Sequence, residues 1–163
     1  MTKEDAKTLV TMVMTNDVRN AFENAIKNGF QKYRRIKDTE DYSSLGEYAQ
    51  NDKRRLLYSC VCSVLDGRRL RKVGFNVGME IHKSSHKTLI SNDNVIIDVF
   101  DNEHRNTADY QTPRFRLNCQ TGGKNYIIIC YYGDKDTGRL NRIMIRVYSS
   151  SRSLLYEEEL WAN

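Results

Sequence analysis

The hydrophobic period of this chain changes once. In TNDVRNAFENAIKNGFQKYRRI, Val18, Phe22, Ala25, Ile26, Phe30 and Tyr33 recur every three or four positions. From Val73 onward the period is two, with Val73, Phe75, Val77, Met79 and Ile81 alternating with Gly74, Asn76, Gly78, Glu80 and His82. The first spacing lines one side of a helix and the second one face of a strand. The chain therefore reads as α+β: about three N-terminal helices packed on one face of a C-terminal antiparallel sheet of about five or six strands.

The helices have recognisable ends. Thr2 and Asp5 form a capping pair ahead of Leu9, Val10, Val13 and Met14, and Thr15 to Asp17 supply the cap of the second helix. Residues 38–46 interrupt the pattern, and Leu56, Leu57, Cys60, Val61, Val64 and Leu65 resume it. A competing reading pairs LLYSCVCSVL with RRLRKVGFNV as strands about the turn-forming Asp66-Gly67. The helix is preferred, with Gly67 as its left-handed cap and the following arginines at its C-terminal end. Further strands are expected at Val95 to Phe100, Arg114 to Cys119 (opened by Pro113), Tyr126 to Tyr132, Leu140 to Tyr148 and Ser153 to Glu158.

With 163 residues the chain suits one domain, helical to about residue 67 and sheet from about 68. No run approaches the ~18 apolar residues of a membrane span and no signal-peptide core is visible, so a cytoplasmic protein without membrane contact is expected. Cys60, Cys62, Cys119 and Cys130 lack zinc or redox spacing and read as buried thiols.

Charge is uneven. Residues 1–90 hold 17 Lys+Arg against 11 Asp+Glu, a net +6, and residues 91–163 hold 9 against 10, a net −1. The excess is grouped as Lys32/Arg34/Arg35/Lys37, Lys53/Arg54/Arg55 and Arg68/Arg69/Arg71/Lys72, and such clustering raises the local potential that steers a polyanion. If TGG and GDKDTG close hairpins, register arithmetic pairs Tyr126 with Arg146, Ile128 with Met144 and Cys130 with Arg142. On the other side it pairs Asn118 with Tyr126 and Arg116 with Ile128. One face then carries Arg114, Arg116, Arg142, Arg146, Tyr126, Tyr132 and Tyr148, and the opposite, core face carries Phe115, Leu117, Ile127, Ile129, Tyr131, Ile143, Ile145 and Val147. Arginine interleaved with tyrosine can grip phosphates and stack bases, although a solvated antiparallel face alternates in the same way.

The expected function is non-enzymatic docking on nucleic acid or on a nucleic-acid–protein complex. By analogy with small basic accessory proteins of phages and mobile elements, this includes an anti-defence, anti-CRISPR-like inhibitor of a bacterial defence nuclease. Such an inhibitor acting only through a protein interface is an alternative. A second is a metal-dependent nuclease using Asp98, Asp101 and Glu103 of DVFDNEH, which otherwise reads as a strand followed by a polar loop from Asp101 to His104. His82 and His86 in HKSSH read as loop histidines, and the glycine patterns match no nucleotide-binding loop, so no cofactor is expected. The acidic tail Glu157 to Glu159 carries Trp161, expected to pack inward, and Leu140 to Tyr148 is a candidate edge strand for a homodimer.

Overall fold

Residues 1–65, 67–82, 85–102, 124–149, 151 and 153–163 are described by a computed structural model. The order is α1 (Lys3–Val13), α2 (Asn16–Lys37), α3 (Glu40–Ser43), α4 (Glu47–Asn51), α5 (Lys53–Leu65) and α6 (Arg68–Lys72). The strands β1 (Asn76–His82), β2 (Ser85–Ser91), β3 (Val95–Asp101), β4 (Asn125–Asp134), β5 (Arg139–Tyr148) and β6 (Leu154–Ala162) follow. The α+β reading holds, with N-terminal helices covering one face of a six-stranded, mostly antiparallel sheet.

Local chemistry sets the helix ends. The Thr2 hydroxyl accepts from Asp5 N–H while the Asp5 carboxylate accepts from Thr2 N–H, a reciprocal capping box. Hydrogen bonding from the Thr2 N–H, and then from the Thr2 side chain, holds the Asp5 carboxyl below its ordinary pKa. Thr15 caps α2 through Val18 N–H. Residues 53–65 are helical, so the hairpin alternative fails. Gly67 is not a left-handed cap: its φ is −71°, and it precedes α6, a separate turn made by the arginines themselves. The helical part consequently runs to Lys72, five residues beyond the expected boundary.

The sheet runs in sequence order, β1 to β6, with all pairs antiparallel except β3 with β4. That pair is parallel, in register Ile96↔Tyr126 and Asp98↔Ile128. The expected pairing of Asn118 with Tyr126 and Arg116 with Ile128 is thereby overturned, because β3 and β5 occupy both edges of β4. The connection between β3 and β4 is long enough for the crossover that parallel strands need and a hairpin does not. Arg114, Arg116, Pro113 and the expected strand at 114–119 lie outside the described residues.

Between β4 and β5 the register is Ile128↔Arg146, Cys130↔Met144 and Tyr132↔Arg142, two residues from the expected one, with a bulge at Tyr132/Gly133. An even shift leaves every side chain on its expected face. The turn closes at Gly138, whose φ of +69° a side chain would strain. HKSSH does not read as loop: His82 ends β1, and His86 lies in β2 opposite Ile81. β5 is interior, so the expected dimer edge at Leu140–Tyr148 is not an edge; β1 and β6 are.

Ile127, Ile129, Tyr131, Ile143, Ile145 and Val147 meet Phe22, Ile26, Phe30, Tyr33, Leu57 and Val61 in the main core. Full burial of each such aliphatic side chain contributes about 1.5–3 kcal/mol. Trp161 packs half-buried against this core, with the Lys27 ammonium 4.5 Å from its ring centroid. Cys60 and Cys130 are buried and Cys62 half-buried, all as free thiols. Burial pushes the Cys60 and Cys62 thiols up in pKa. Among the described residues no helix is long and apolar enough to cross a membrane.

Candidate nucleic-acid interface

Three stretches, two of them helical and the third running from α6 into β1, carry cations and no carboxylate. Residues 24–37 contain Lys27, Lys32, Arg34, Arg35 and Lys37; residues 53–65 contain Lys53, Arg54 and Arg55; residues 67–79 contain Arg68, Arg69, Arg71 and Lys72. The fold joins them in one layer. Gly29 of α2 lies against Val61 of α5. Tyr33 of α2 donates to Lys135 O, and Lys53 at the start of α5 pairs with Asp136 of the same β4–β5 turn. The helices are therefore antiparallel.

Some of these cations serve the fold. Lys53 Nζ is 2.9 Å from Asp136, and Arg54 Nη1 is 3.1 Å from Asp101, whose side chain is only 2% exposed. Arg34 donates to Gly138 O at 2.8 Å and Arg71 to Val77 O at 3.4 Å. Lys37 pairs with Asp38, and Lys27 with Glu23. Arg34 and Arg71 are exposed despite these bonds; the other exposed cations of the three stretches are Lys32, Arg35, Arg55, Arg68, Arg69 and Lys72, with Lys32 also donating to Ser63 near the C-terminal end of α5. Lys32 thus reaches the C-terminal end of α5, and Arg68, Arg69 and Lys72 follow on α6.

The arginine–tyrosine sheet face is not an open platform. Tyr126, Ile128, Cys130 and Met144 are buried in a second cluster, with Ile96, Phe100, Tyr132 and Tyr148 packed against it. Tyr126 donates its hydroxyl to Asp98. Arg146 donates to Glu157, to Asn102 at 2.9 Å and to the Tyr132 hydroxyl at 2.7 Å. Burial alone would lower its pKa, but the Glu157 carboxylate holds the guanidinium more firmly protonated than usual. Arg142 is exposed, yet its guanidinium lies 4.5 Å from the Tyr132 ring centroid. Tyr126 and Arg146 thus carry internal bonds, leaving Arg142 as the accessible cation of this face among the described residues.

Asp98 and Asp101 do not converge. Three residues apart on β3, they point to opposite faces: Asp98 to Tyr126 in the second cluster, Asp101 to Arg54 on the helical side. Asp101 is the last residue of β3 and not part of a loop; Glu103 and His104 lie outside the described residues. Among those described, no group of three His, Cys, Asp or Glu side chains is placed to hold a metal ion. Reasoning from sequence joined the basic clusters with the sheet arginines; the signal it passed over was the absence of carboxylates across 24–37 and 53–65. Compared with protein-family models, with curated proteins and with solved structures, the chain has no match.

Proposed function

We propose that this is a non-enzymatic protein that docks on nucleic acid, free or within a nucleoprotein complex, through its helical layer. The observation that carries this reading is the exposed set Lys32, Arg35, Arg55, Arg68, Arg69 and Lys72 on segments without a single carboxylate. Exposed cations with no carboxylate on the same stretch keep more of their field for an external partner, whereas Lys53 and Arg54 spend theirs on Asp136 and Asp101. The buried, internally bonded sheet face moves the interface from strands to helices. A nuclease built on Asp98 and Asp101 is the weaker reading, since the sheet separates the two carboxylates.

The experiment is fluorescence anisotropy with labelled DNA and RNA, single- and double-stranded, in 50 mM salt. Binding to at least one of them is expected, with a loss on adding salt that follows counterion release. Absence of binding to all four at 50 mM would refute direct contact.

A further inference from the structure

Resting on that reading, we infer that the Lys32 ammonium is a preset seat for one phosphate of the nucleic-acid ligand, and that the Ser63 hydroxyl is the positioning group that holds it in place.

The cations of the three stretches differ in what fixes them. Lys27, Lys37, Lys53 and Arg54 are fixed by carboxylates, those of Glu23, Asp38, Asp136 and Asp101, and their charge is answered inside the protein. Arg35, Arg55, Arg68, Arg69 and Lys72 are exposed, and their side chains make no hydrogen bond or ion pair among the described residues. Between these extremes stand three cations held by neutral oxygens. Arg71 reaches Val77 O only at 3.4 Å, too long for a firm bond. Arg34 reaches Gly138 O at 2.8 Å, in a turn that also carries Asp134 and Asp136. Lys32 reaches the Ser63 hydroxyl at 2.9 Å, and both helices that meet there, from 24 to 37 and from 53 to 65, lack any carboxylate. Asp66, next in the chain after α5, lies outside the described residues.

The hold on Lys32 is itself well founded. Ser63 donates its proton to Cys60 O of the same helix at 2.8 Å, which leaves a lone pair of its oxygen for the ammonium. Both residues stand beside the place where α2 and α5 touch, Lys32 three positions after Gly29 and Ser63 two after Val61. A lysine that swings freely loses rotamer freedom when it takes up a phosphate. Lys32 has given up much of that freedom on folding. One of its three N–H donors is used on Ser63 and two remain for a ligand. The serine is neutral, so the full positive charge remains as well. The last turn of α5 carries the negative end of the helix dipole, and Arg68, Arg69 and Lys72 of α6 follow it closely enough in the chain to offset it.

The test is a double-mutant cycle on the full chain, read by anisotropy between 50 and 200 mM salt with labelled DNA and RNA, single- and double-stranded. Lys32→Gln removes one phosphate contact, so its slope of log affinity against log salt should be shallower by about 0.9 on a duplex or about 0.7 on a single strand. Ser63→Ala removes no charge. It should weaken binding about two- to tenfold with the slope unchanged, the cost of ordering one long side chain on binding. Ser63→Thr, which keeps the hydroxyl, should bind as the parent does. In the Lys32→Gln background Ser63→Ala should change nothing further, because Ser63 acts through Lys32. Ser63→Ala binding as tightly as the parent, or weakening binding equally with and without Lys32, would overturn the inference and leave nucleic-acid binding intact. Failure of the parent chain to bind any of the four would remove the underlying function instead.

Discussion

Replacing Gly29 by alanine probes the contact that sets the spacing of α2 and α5. On helix propensity alone the change should help, because glycine inside a helix costs about 0.5–1 kcal/mol relative to alanine. Here the added Cβ would stand 2.6 Å from Val61 Cα, 2.9 Å from Val61 Cγ2 and 3.1 Å from Val61 N. Comfortable contact begins near 3.5 Å, so the helices would have to part by about 1 Å. Two of the three obstructing atoms are backbone, and a new rotamer of Val61 relieves only one. Overpacking of this kind costs about 1–3 kcal/mol. With the upper end expected against backbone and the propensity gain subtracted, the net loss is about 2 kcal/mol, or roughly 4–8 °C in Tm for a chain of this size. Urea denaturation followed by far-UV circular dichroism and by Trp161 fluorescence measures it, with Asn24→Ala on the exposed side of α2 as the control that should gain a few tenths of a kcal/mol. Gly29→Ala more stable than the parent would mean that the two backbones do not touch.

The two kinds of arginine should separate cleanly by stability. Arg146→Ala removes the donors to Glu157, Asn102 and Tyr132 and should cost about 2 kcal/mol by thermal melting, whereas Arg68→Ala, exposed, should stay within about 0.5 kcal/mol; equal effects would contradict the assignment of structural and surface roles. The Tyr131 hydroxyl is fully buried and makes no hydrogen bond among the described residues, so Tyr131→Phe should leave stability unchanged or raise it by about 1 kcal/mol in urea, and a clear loss would reveal a partner. The Asp134 carboxylate accepts from the N–H groups of Asp136 and Thr137 at 2.7 and 3.3 Å. Those bonds lower its pKa below the ordinary 3.8, so its contribution is present above pH 3.8 and lost as the pH falls through the lower folded-state value. Asp134→Asn should flatten that part of an acid titration followed by circular dichroism, and an identical acid limb would argue against the turn bonds.

Much of the architecture was legible because each element carries its own period. The run from Val18 to Tyr33 buries the side it was expected to bury, and β4 and β5 place Ile127, Ile129, Tyr131, Ile143, Ile145 and Val147 in the core, as alternation required. The missed elements have weak local signals: β2 presents Ser85, His86, Lys87 and Thr88 before its first apolar residue, and α3 and α4 are short turns among small and acidic residues. Of the site, the basic clusters and their concentration in the first half were visible. Their separation into structural and exposed cations was not, because Asp136 is 83 residues from Lys53 and Asp101 is 47 from Arg54 along the chain.

By itself, then, the sequence determined the helix and strand periods, the face each strand turns inward and the absence of carboxylates from three basic segments, all of which depend on neighbours within a few residues. Only the tertiary structure decided that β3 and β4 run parallel, that Arg146 is bonded from three sides, that Asp98 and Asp101 lie on opposite faces, and that Gly29 comes against Val61. These follow from which distant segments pack together. Such choices rest on the summed burial and pairing of the whole core, which no local pattern encodes.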